Sequence, residues 1–289
     1  MITDRTKEWT VLVRTRDGAG LYAEERGSGD PLLLLAGQSS SHLMWGAVID
    51  RLAERHRVLV FDYRGTGRSE SPEDGYSTPG FAADAVAVLD AFDVPRAHVY
   101  GFSMGGRVAQ WVAIDHPDRV GALVLGATTP GDKHGVPRPD WANALLARPD
   151  DKAGLDAMMF TPAWLEGRSE RPGVCQDWRV GTPPLTQARH YEASQAHDAW
   201  DRLPSITAPT LIIHGSDDPT NVPQNAYLLA ERIPGSTVHI IDGARHGYWE
   251  EFSDEAERVV LGFLDRHALE RRSPAVGAVD RDRGDADAG

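Results

Sequence analysis

The sequence predicts an α/β protein with a mostly parallel central sheet, helices on both faces of the sheet and an inserted, mainly helical cap. Three observations in the 289-residue chain predict this fold. Short apolar runs bounded by glycine or proline alternate with stretches of helical periodicity. The alternation stops between Gly131 and about Trp200, where proline, tryptophan and polar residues mix. It resumes from Ala208.

The first half of the chain begins with a predicted hairpin and continues with strand and helix units. Residues 11–15 and 21–25 flank a glycine-rich turn, which is typical of two strands at a sheet edge. The run LLLL at residues 32–35 predicts a strand that is buried on both faces. The elements that follow are a helix at 45–55, a strand at 58–61, a helix at 81–92, a strand at 98–100, a helix at 104–115 and a strand at 122–125.

The second half returns to the same alternation after the insertion. It predicts a strand at 210–213, a helix at 224–232, a strand at 237–241 and an amphipathic helix at 254–267. We therefore divide the chain into a core of residues 1–130 and 201–268 and a cap of residues 131–200. Residues 269–289 have almost no large apolar side chain, so we expect a disordered tail.

Composition and charge exclude several classes of function. A net charge of −13 argues against nucleic-acid binding, because a nucleic-acid footprint needs clustered Lys and Arg. No apolar run approaches the roughly 18 residues that cross a bilayer, and the chain does not open with a secretory signal. We therefore expect no membrane partner and a cytoplasmic location. A single cysteine permits neither an intrachain disulfide nor a cysteine-rich metal site.

One segment, GFSMGG at residues 101–106, has the pattern of an activated nucleophile. It matches G-x-S-x-G and joins a predicted strand to a predicted helix, as the mechanism of that pattern requires. The turn is so sharp that a Cβ two residues before or after Ser103 would clash with backbone, which explains the two glycines. The helix N-terminus also places unpaired N–H groups beside the oxygen that becomes an oxyanion.

Carboxylates and a histidine follow two later strands. HGSDDP at residues 214–219 comes after one predicted strand, and DGARHG at 242–247 comes after the next. The carboxyl ends of parallel strands meet at the same edge of a sheet, so these groups should lie near Ser103. The sequence therefore predicts a serine, a carboxylate and a histidine that converge in the chain order Ser, Asp, His.

Together with DYRGTGRS at residues 62–69, these segments resemble the α/β-hydrolase superfamily, in its capped, serine-nucleophile esterase and enol-lactonase-like branch. The resemblance extends over roughly residues 21–268. It implies that Ser103 is the nucleophile, that His246 is the general base and then the acid, and that Asp218 orients the imidazole. Asp217 is the neighbouring alternative for the carboxylate, and Asp132, beyond the preceding core strand, is a more distant one.

The resemblance also implies an oxyanion hole with two backbone donors, Gln38 and Met104. Met104 follows the nucleophile, and Gln38 lies in the loop after the strand at 32–35. This loop reads AGQSSS, whereas the family usually opens it with His-Gly. The Gln38 donor is a backbone N–H, so the loss of the usual histidine does not remove it. The loop must, however, be supported by other contacts.

The predicted cap has more large apolar side chains than a connector needs. Most of them should form a small core of the cap itself, while a subset covers the site and contacts the substrate. An apolar roof with few fixed charges favours a small hydrophobic ester or lactone as the partner molecule. The candidate substrate-binding residues are Trp141, Met158, Phe160 and Trp164.

Other polar residues near the motifs are interpreted as structural. Asp62 and Arg64 are expected to brace the strand ends, and His214 is expected to be packed or hydrogen-bonded. The remaining histidines show no pairing with carboxylates at the spacing of a zinc site. The sequence therefore predicts neither a metal nor another cofactor.

The resulting hypothesis is a serine hydrolase that cleaves a carboxylic ester or a lactone through an acyl-enzyme. A serine at position 103 argues against haloalkane dehalogenases and epoxide hydrolases, which use a carboxylate nucleophile. Two alternatives stay open: a non-hydrolytic tailoring enzyme, and a ligand-binding, receptor-like protein on the same fold. Monomer and homodimer also stay open, because no heptad or exposed apolar repeat decides between them.

Overall fold

A computed structural model describes residues 9–146, 148, 151–167 and 182–269 of the chain. In this part, eight strands form one sheet in the order β1-β2-β4-β3-β5-β6-β7-β8. The strands are β1 (Trp9–Arg14), β2 (Gly20–Gly27), β3 (Asp30–Leu35), β4 (His56–Phe61), β5 (Ala97–Phe102), β6 (Val120–Gly126), β7 (Thr210–Gly215) and β8 (Thr237–Ile241).

The sheet is antiparallel only at the edge formed by the N-terminal hairpin. Strand β2 pairs antiparallel with β1 and with β4, whereas every other neighbouring pair is parallel. The predicted hairpin and the mostly parallel sheet are therefore confirmed. Because β3 and β5 to β8 run in one direction, the loops after their carboxyl ends emerge at the same edge of the sheet.

Four of the ten α-helices in the described part match helices that the periodicity predicts as single elements. Three long helices pack as α/β folds require: α3 (Met104–Asp115) packs on β3, β5 and β6 and against α2 (Thr78–Ala91), while α10 (Ser253–Asp265) packs on β7 and β8. The α-helices of the described part are α1 (Ile49–Ala53), α2 (Thr78–Ala91), α3 (Met104–Asp115), α4 (Asp140–Leu146), α5 (Lys152–Met159), α6 (Pro162–Gly167), α7 (Pro184–Gln195), α8 (Gln224–Arg232), α9 (Tyr248–Glu251) and α10 (Ser253–Asp265).

One predicted helix, at residues 45–55, is wrong as a single element. The structure has a short 3₁₀ turn at His42–Trp45, then Gly46 as its cap, and only afterwards α1. Glycine is a poor helix former, and here it separates the two pieces. The apolar run in β3 behaves as predicted, since Leu32 to Leu35 are buried with at most 1% of their surface exposed.

The segment between β6 and β7 contains helices α4 to α7 in its described residues. An isolated antiparallel bridge between Gly131 and Asp198 joins the two ends of this segment. The division into core and cap stays a prediction, and residues 270–289 of the predicted tail lie outside the described residues. No helix in the described part is long and apolar enough to cross a membrane.

Candidate active site

Ser103 lies at the turn between β5 and α3, in a backbone conformation that non-glycine residues rarely adopt, with φ 55° and ψ −117°. Its N–H donates to the carbonyl of Gly126 at 2.8 Å, which ties the turn to β6. A Cβ on Gly101 would lie 2.2 Å from the carbonyl oxygen of Gly105, and a Cβ on Gly105 would lie 2.1 Å from that of Leu35. The two glycines are therefore required by close backbone approach, as the motif predicts.

Three side chains that the sequence singles out come together at this turn. His246, in the loop after β8, has Nε2 at 3.1 Å from Ser103 Oγ. Its Nδ1 lies 2.7 Å from Oδ2 of Asp218, in the loop after β7. With Nδ1 donating to the carboxylate, Nε2 is left to accept the Ser103 proton.

The Asp218 carboxylate is buried, yet each of its oxygens has a partner. Oδ1 accepts from the N–H groups of Thr220 at 2.8 Å and Asn221 at 3.0 Å, while Oδ2 faces His246. Burial acts to raise the pKa of Asp218, but the charge and hydrogen bonds of His246, with a contribution from His214, outweigh it. The pKa therefore lies well below its ordinary value, and the group is ionised at neutral pH.

His214, at the end of β7, is a fully buried neighbour of this carboxylate. Its Nε2 lies 2.5 Å from the carbonyl oxygen of Asn221 and 3.2 Å from Asp218 Oδ2. Both are acceptors, so the proton belongs on Nε2, and Nδ1 has no hydrogen-bond partner among the described residues. Sequence reasoning expected a hydrogen-bonded histidine here but missed that it contacts Asp218, although the spacing of four residues was visible.

Neither alternative carboxylate reaches His246. Asp132 pairs with Arg107 at 2.9 Å and accepts from Gln195 Nε2 at 2.6 Å. Asp217 is exposed, and its Oδ1 accepts from the Ser216 hydroxyl at 3.0 Å. Asp218 is therefore the carboxylate that the geometry pairs with the imidazole.

The backbone donors expected for an oxyanion lie beside the nucleophile. Gln38 and Met104 line the same cavity as Ser103, and their N–H groups donate to no atom of the described residues. The unusual loop after β3 is supported from α7, because Ser39 N–H donates to His190 Nδ1 at 3.3 Å. Thr182 Oγ1 also donates to the Ser39 carbonyl at 3.2 Å. These contacts are the different support that the altered loop sequence required.

A cavity of about 630 Å³ lies above Ser103, and it receives only one of the four predicted substrate-binding side chains. Met158 lines it. Trp141 does not, since 54% of its surface is exposed to solvent. Phe160 is fully buried against Gly247, where a Cβ would lie 2.3 Å from its ring, and Trp164 packs beside Phe160 with ring centroids 6.2 Å apart. Phe160 and Trp164 therefore support the His246 loop and do not line the described cavity.

The cavity wall is also more charged than the sequence suggested. Apolar side chains, among them Met44, Phe102 and Leu155, form one part of it. The expected roof with few fixed charges is not observed, because four charged side chains contribute to the described lining, and a neutral apolar substrate would leave them uncompensated. These are Arg107, Arg138, Lys152 and Asp156.

Helix α5 and the residues after it hold the histidine loop by its backbone. His246 N–H donates to the Met158 carbonyl at 3.4 Å, and Gly247 N–H donates to the Met159 carbonyl at 2.7 Å. The Arg245 guanidinium donates to the carbonyls of Ala157 and Phe160. The inserted segment therefore positions the general-base candidate directly.

Asp62 and Arg64 brace the fold, as the sequence predicts. Asp62 accepts from the His42 N–H at 2.7 Å and from the Arg68 N–H at 2.8 Å, while Arg64 binds both oxygens of Asp84. Within the described residues there is no group of three or more His, Cys, Asp or Glu side chains that could hold a metal ion.

Comparisons with known proteins show the family to which this fold belongs. A family profile described as alpha/beta hydrolase fold matches residues 30–252. Rhodomycin D methylesterase DauP of Streptomyces sp. (strain C5) is 33% identical over 275 residues, which cover 80% of this chain and 90% of the relative. The solved enol-lactonase from Burkholderia xenovorans LB400 is 27% identical, with a TM-score of 0.76, and the match covers 89% of this chain and 100% of that one. The esterase EaEST from Exiguobacterium antarcticum is 26% identical, with a TM-score of 0.78 and the same coverage of 89% and 100%.

The fold, and the relatives that share it, define an enzyme of the hydrolase class. The family profile spans most of the sequence, so the chain belongs to the α/β hydrolase fold family. Its relatives include proteins named as a putative carbamate hydrolase, an enol-lactonase and esterases, and this protein is a hydrolase.

Proposed function

We propose that this hydrolase cleaves a carboxylic ester or a lactone through an acyl-enzyme formed on Ser103. The observation that carries the proposal is the chain of two contacts from Ser103 Oγ to His246 Nε2, at 3.1 Å, and from His246 Nδ1 to Asp218 Oδ2, at 2.7 Å. The names of the esterase and enol-lactonase relatives support the same reaction class.

In the first half-reaction, Ser103 Oγ attacks the substrate carbonyl while His246 Nε2 takes the hydroxyl proton. The ionised, buried Asp218 stabilises the imidazolium that forms. His246 then gives the proton to the departing alkoxide, which leaves as an alcohol, or stays attached when the substrate is a lactone. The acyl group is now an ester of Ser103.

In the second half-reaction, water replaces the alcohol. His246 takes a proton from the water, the hydroxide oxygen attacks the acyl carbonyl, and Ser103 leaves with the proton that His246 returns. In both halves the N–H groups of Gln38 and Met104 hold the carbonyl oxygen as it becomes negative. Removal of one such donor from a hydrolase typically costs about a hundredfold or more in rate.

The substrate is a small molecule with an apolar portion. Met44, Met158 and Leu155 form apolar wall in the cavity above Ser103, and about 630 Å³ is a volume typical of small-molecule sites. We further propose that residues 131–200 act as the cap that encloses this molecule.

Hydrolysis of p-nitrophenyl esters of increasing acyl length tests the proposal, with wild type compared to Ser103→Ala and to Ser205→Ala as a matched control on an exposed serine. We expect Ser103→Ala to lose at least about a thousandfold in kcat/KM, because only the oxyanion hole and binding remain. Ser205→Ala should match the wild type. The optimum in acyl length measures the apolar part of the cavity.

Intact-mass spectrometry of an acid-quenched reaction provides the second readout. We expect the intact protein to gain the mass of one acyl group. A digest of the quenched protein should then place that mass on the peptide that contains Ser103. Activity that persists in Ser103→Ala rules out the proposed mechanism, as does a pre-steady-state burst of p-nitrophenol without that adduct. Tight ligand binding without turnover would favour the receptor-like alternative, and a product without added water would favour the tailoring enzyme.

A further inference from the structure

A side chamber of about 200 Å³ adjoins the cavity above Ser103. The two spaces share Arg107, Arg138, Thr220 and Asn221 in their walls. Eight of the twelve described residues that line the side chamber have polar or charged side chains, among them Gln195. This chamber plays no part in the mechanism derived above.

The charge of these walls is opposite to that of the protein. The whole chain has a net charge of −13, yet the described lining of the two spaces has three cations, Arg107, Arg138 and Lys152, against two carboxylates, Asp132 and Asp156. A concave surface with an excess of positive charge attracts anions more strongly than the net charge suggests, because the low-dielectric walls focus the field.

The two arginines are not equivalent. Both terminal nitrogens of the buried Arg107 guanidinium are engaged: Nη2 donates to Asp132 and to Thr129 Oγ1, each at 2.9 Å, and Nη1 donates to the Ser194 carbonyl. Burial lowers the pKa of Arg107, and the positive charge of Arg138 lowers it further. Arg138 therefore lies near a second guanidinium, and it has no ion pair with any residue of the described part.

The carboxylate that compensates Arg107 is engaged by other side chains and makes no ion pair with Arg138 among the described residues. Asp132 Oδ1 accepts a hydrogen bond from Arg107, and Asp132 Oδ2 accepts one from the Gln195 side-chain amide at 2.6 Å. The Thr220 hydroxyl, where the two spaces meet, is buried and has no hydrogen-bond partner among the described residues. An uncompensated guanidinium and an unpartnered buried hydroxyl therefore line the same chamber, and both can donate to an anion.

The chamber lies at a distance from the nucleophile that one small molecule can span. Arg107 follows Ser103 by four residues on α3, which is a rise of about 6 Å along the helix. A molecule with its ester carbonyl at Ser103 can therefore place a second polar group near the arginines.

From these observations we propose that the side chamber is a carboxylate subsite, and that the enzyme acts on esters or lactones that also contain a free carboxylate, bound by Arg138 and Thr220. The inference rests on the proposed function and names its substrate class. Arg138 is the group that recognises the carboxylate, while Arg107 adds positive potential. The apolar wall beside Ser103 then contacts the chain between the two carbonyl groups.

Matched pairs of esters test the subsite. One series has the carboxylate on the acyl side: mono-p-nitrophenyl esters of linear dicarboxylic acids from adipate to suberate, each compared with its methyl-capped, neutral twin. A second series has it on the alcohol side: butyryl esters of p-hydroxybenzoate, compared with those of its methyl ester. The measured quantity is the ratio of kcat/KM for the anionic ester to that for its neutral twin.

Arg138→Gln removes the charge and keeps a hydrogen-bonding side chain, Arg138→Lys keeps the charge, and Arg16→Gln is the control on an exposed arginine outside both spaces. In at least one series we expect wild type to prefer the anionic ester. Arg138→Gln should lower that ratio about ten- to hundredfold, mainly through KM, as expected for a hydrogen-bonded charge pair. Arg138→Lys should retain part of the preference, Arg16→Gln should leave it unchanged, and added salt should weaken it.

The proposal is overturned if wild type shows no preference for the anionic ester in either series, or if Arg138→Gln keeps the preference. In those cases hydrolysis of the neutral esters that depends on Ser103 would still support the proposed function. If no ester of either kind is hydrolysed, the proposed function fails together with the substrate class that rests on it.

Discussion

His214 offers a sharp test of how the site controls His246, the proposed general base. Its Nε2 lies 3.2 Å from Asp218 Oδ2, the same oxygen that faces His246 Nδ1. The substitution His214→Leu removes this N–H and replaces the imidazole with a side chain of similar volume. The Asp218 oxygen then carries more negative charge toward His246 and stabilises the imidazolium. We therefore expect the acid limb of the kcat/KM profile, which reports protonation of the general base, to move to higher pH.

The size of the shift follows from the contact. A hydrogen bond to a charged group contributes about 1.5–3 kcal/mol, but His214 shares its proton with the Asn221 carbonyl, which is closer at 2.5 Å. We therefore assign about 1 kcal/mol to the Asp218 contact. Since one pH unit corresponds to about 1.4 kcal/mol, the expected shift is about half to one unit upward.

The assay is the pH dependence of kcat/KM for a p-nitrophenyl ester, measured for three variants beside wild type. His214→Gln keeps an N–H donor near the position of Nε2 and should stay close to the wild-type profile. His98→Leu is the matched control, because His98 is also fully buried and also has one ring nitrogen without a hydrogen-bond partner among the described residues. It accepts from the Ala122 N–H, away from the catalytic residues.

The reasoning is refuted if His214→Leu folds, as judged by circular dichroism and thermal unfolding, and keeps the wild-type midpoint. It is also refuted if His98→Leu moves the midpoint equally, because a shift from general loosening of the core would then explain both variants.

Three further predictions concern strain, close packing and acid stability. Ser103→Gly should abolish esterase activity. It should also raise the free energy of unfolding, measured with urea, by about 1 kcal/mol, because glycine adopts the strained φ of 55° without cost. Gly105→Ala should cost about 3 kcal/mol or prevent folding, because the new Cβ lies 2.1 Å from the Leu35 carbonyl; thermal unfolding equal to wild type would contradict this. Burial lowers the pKa of His190 to about 4, below its ordinary 6.5, so the unfolded chain binds the proton first and stability is lost as pH falls from 6.5 toward 4. Urea unfolding measures how much of the free energy of unfolding is lost between pH 7 and pH 4.5. This loss should be about 2–3 kcal/mol smaller in His190→Gln than in wild type.

Much of the fold was predictable because its signals are local. The four leucines of β3 sit between breakers, and the α3 pattern begins directly after the Ser103 turn, so strand and helix could be read from neighbouring residues. The exception at residues 45–55 had a local cause that periodicity outweighed, namely Gly46. The segment between β6 and β7 was predictable only as a break in the pattern, because its helices α4 to α6 have eight residues or fewer, which is too short for a clear helical period.

The contacts of the site also include some that the sequence could predict and some that it could not. Convergence of Ser103, Asp218 and His246 follows from the direction of parallel strands, and could be predicted. The position of Trp141 could not, because an aromatic side chain in sequence gives no direction, and here it points to solvent. Likewise, the charged walls around Arg138 arise where the inserted segment meets the core, a juxtaposition that no local pattern encodes.

The hydrogen bonds from the histidine loop to residues 157–160 have a consequence for engineering. To change the substrate range, an obvious approach is to exchange the whole segment between β6 and β7 with that of a relative. In this protein such an exchange would also remove the carbonyl groups that hold the backbone at His246 and Gly247. A chimera that keeps residues 157–160 and replaces the remainder of the insertion should therefore retain catalysis, whereas a complete graft should lose rate on every substrate alike.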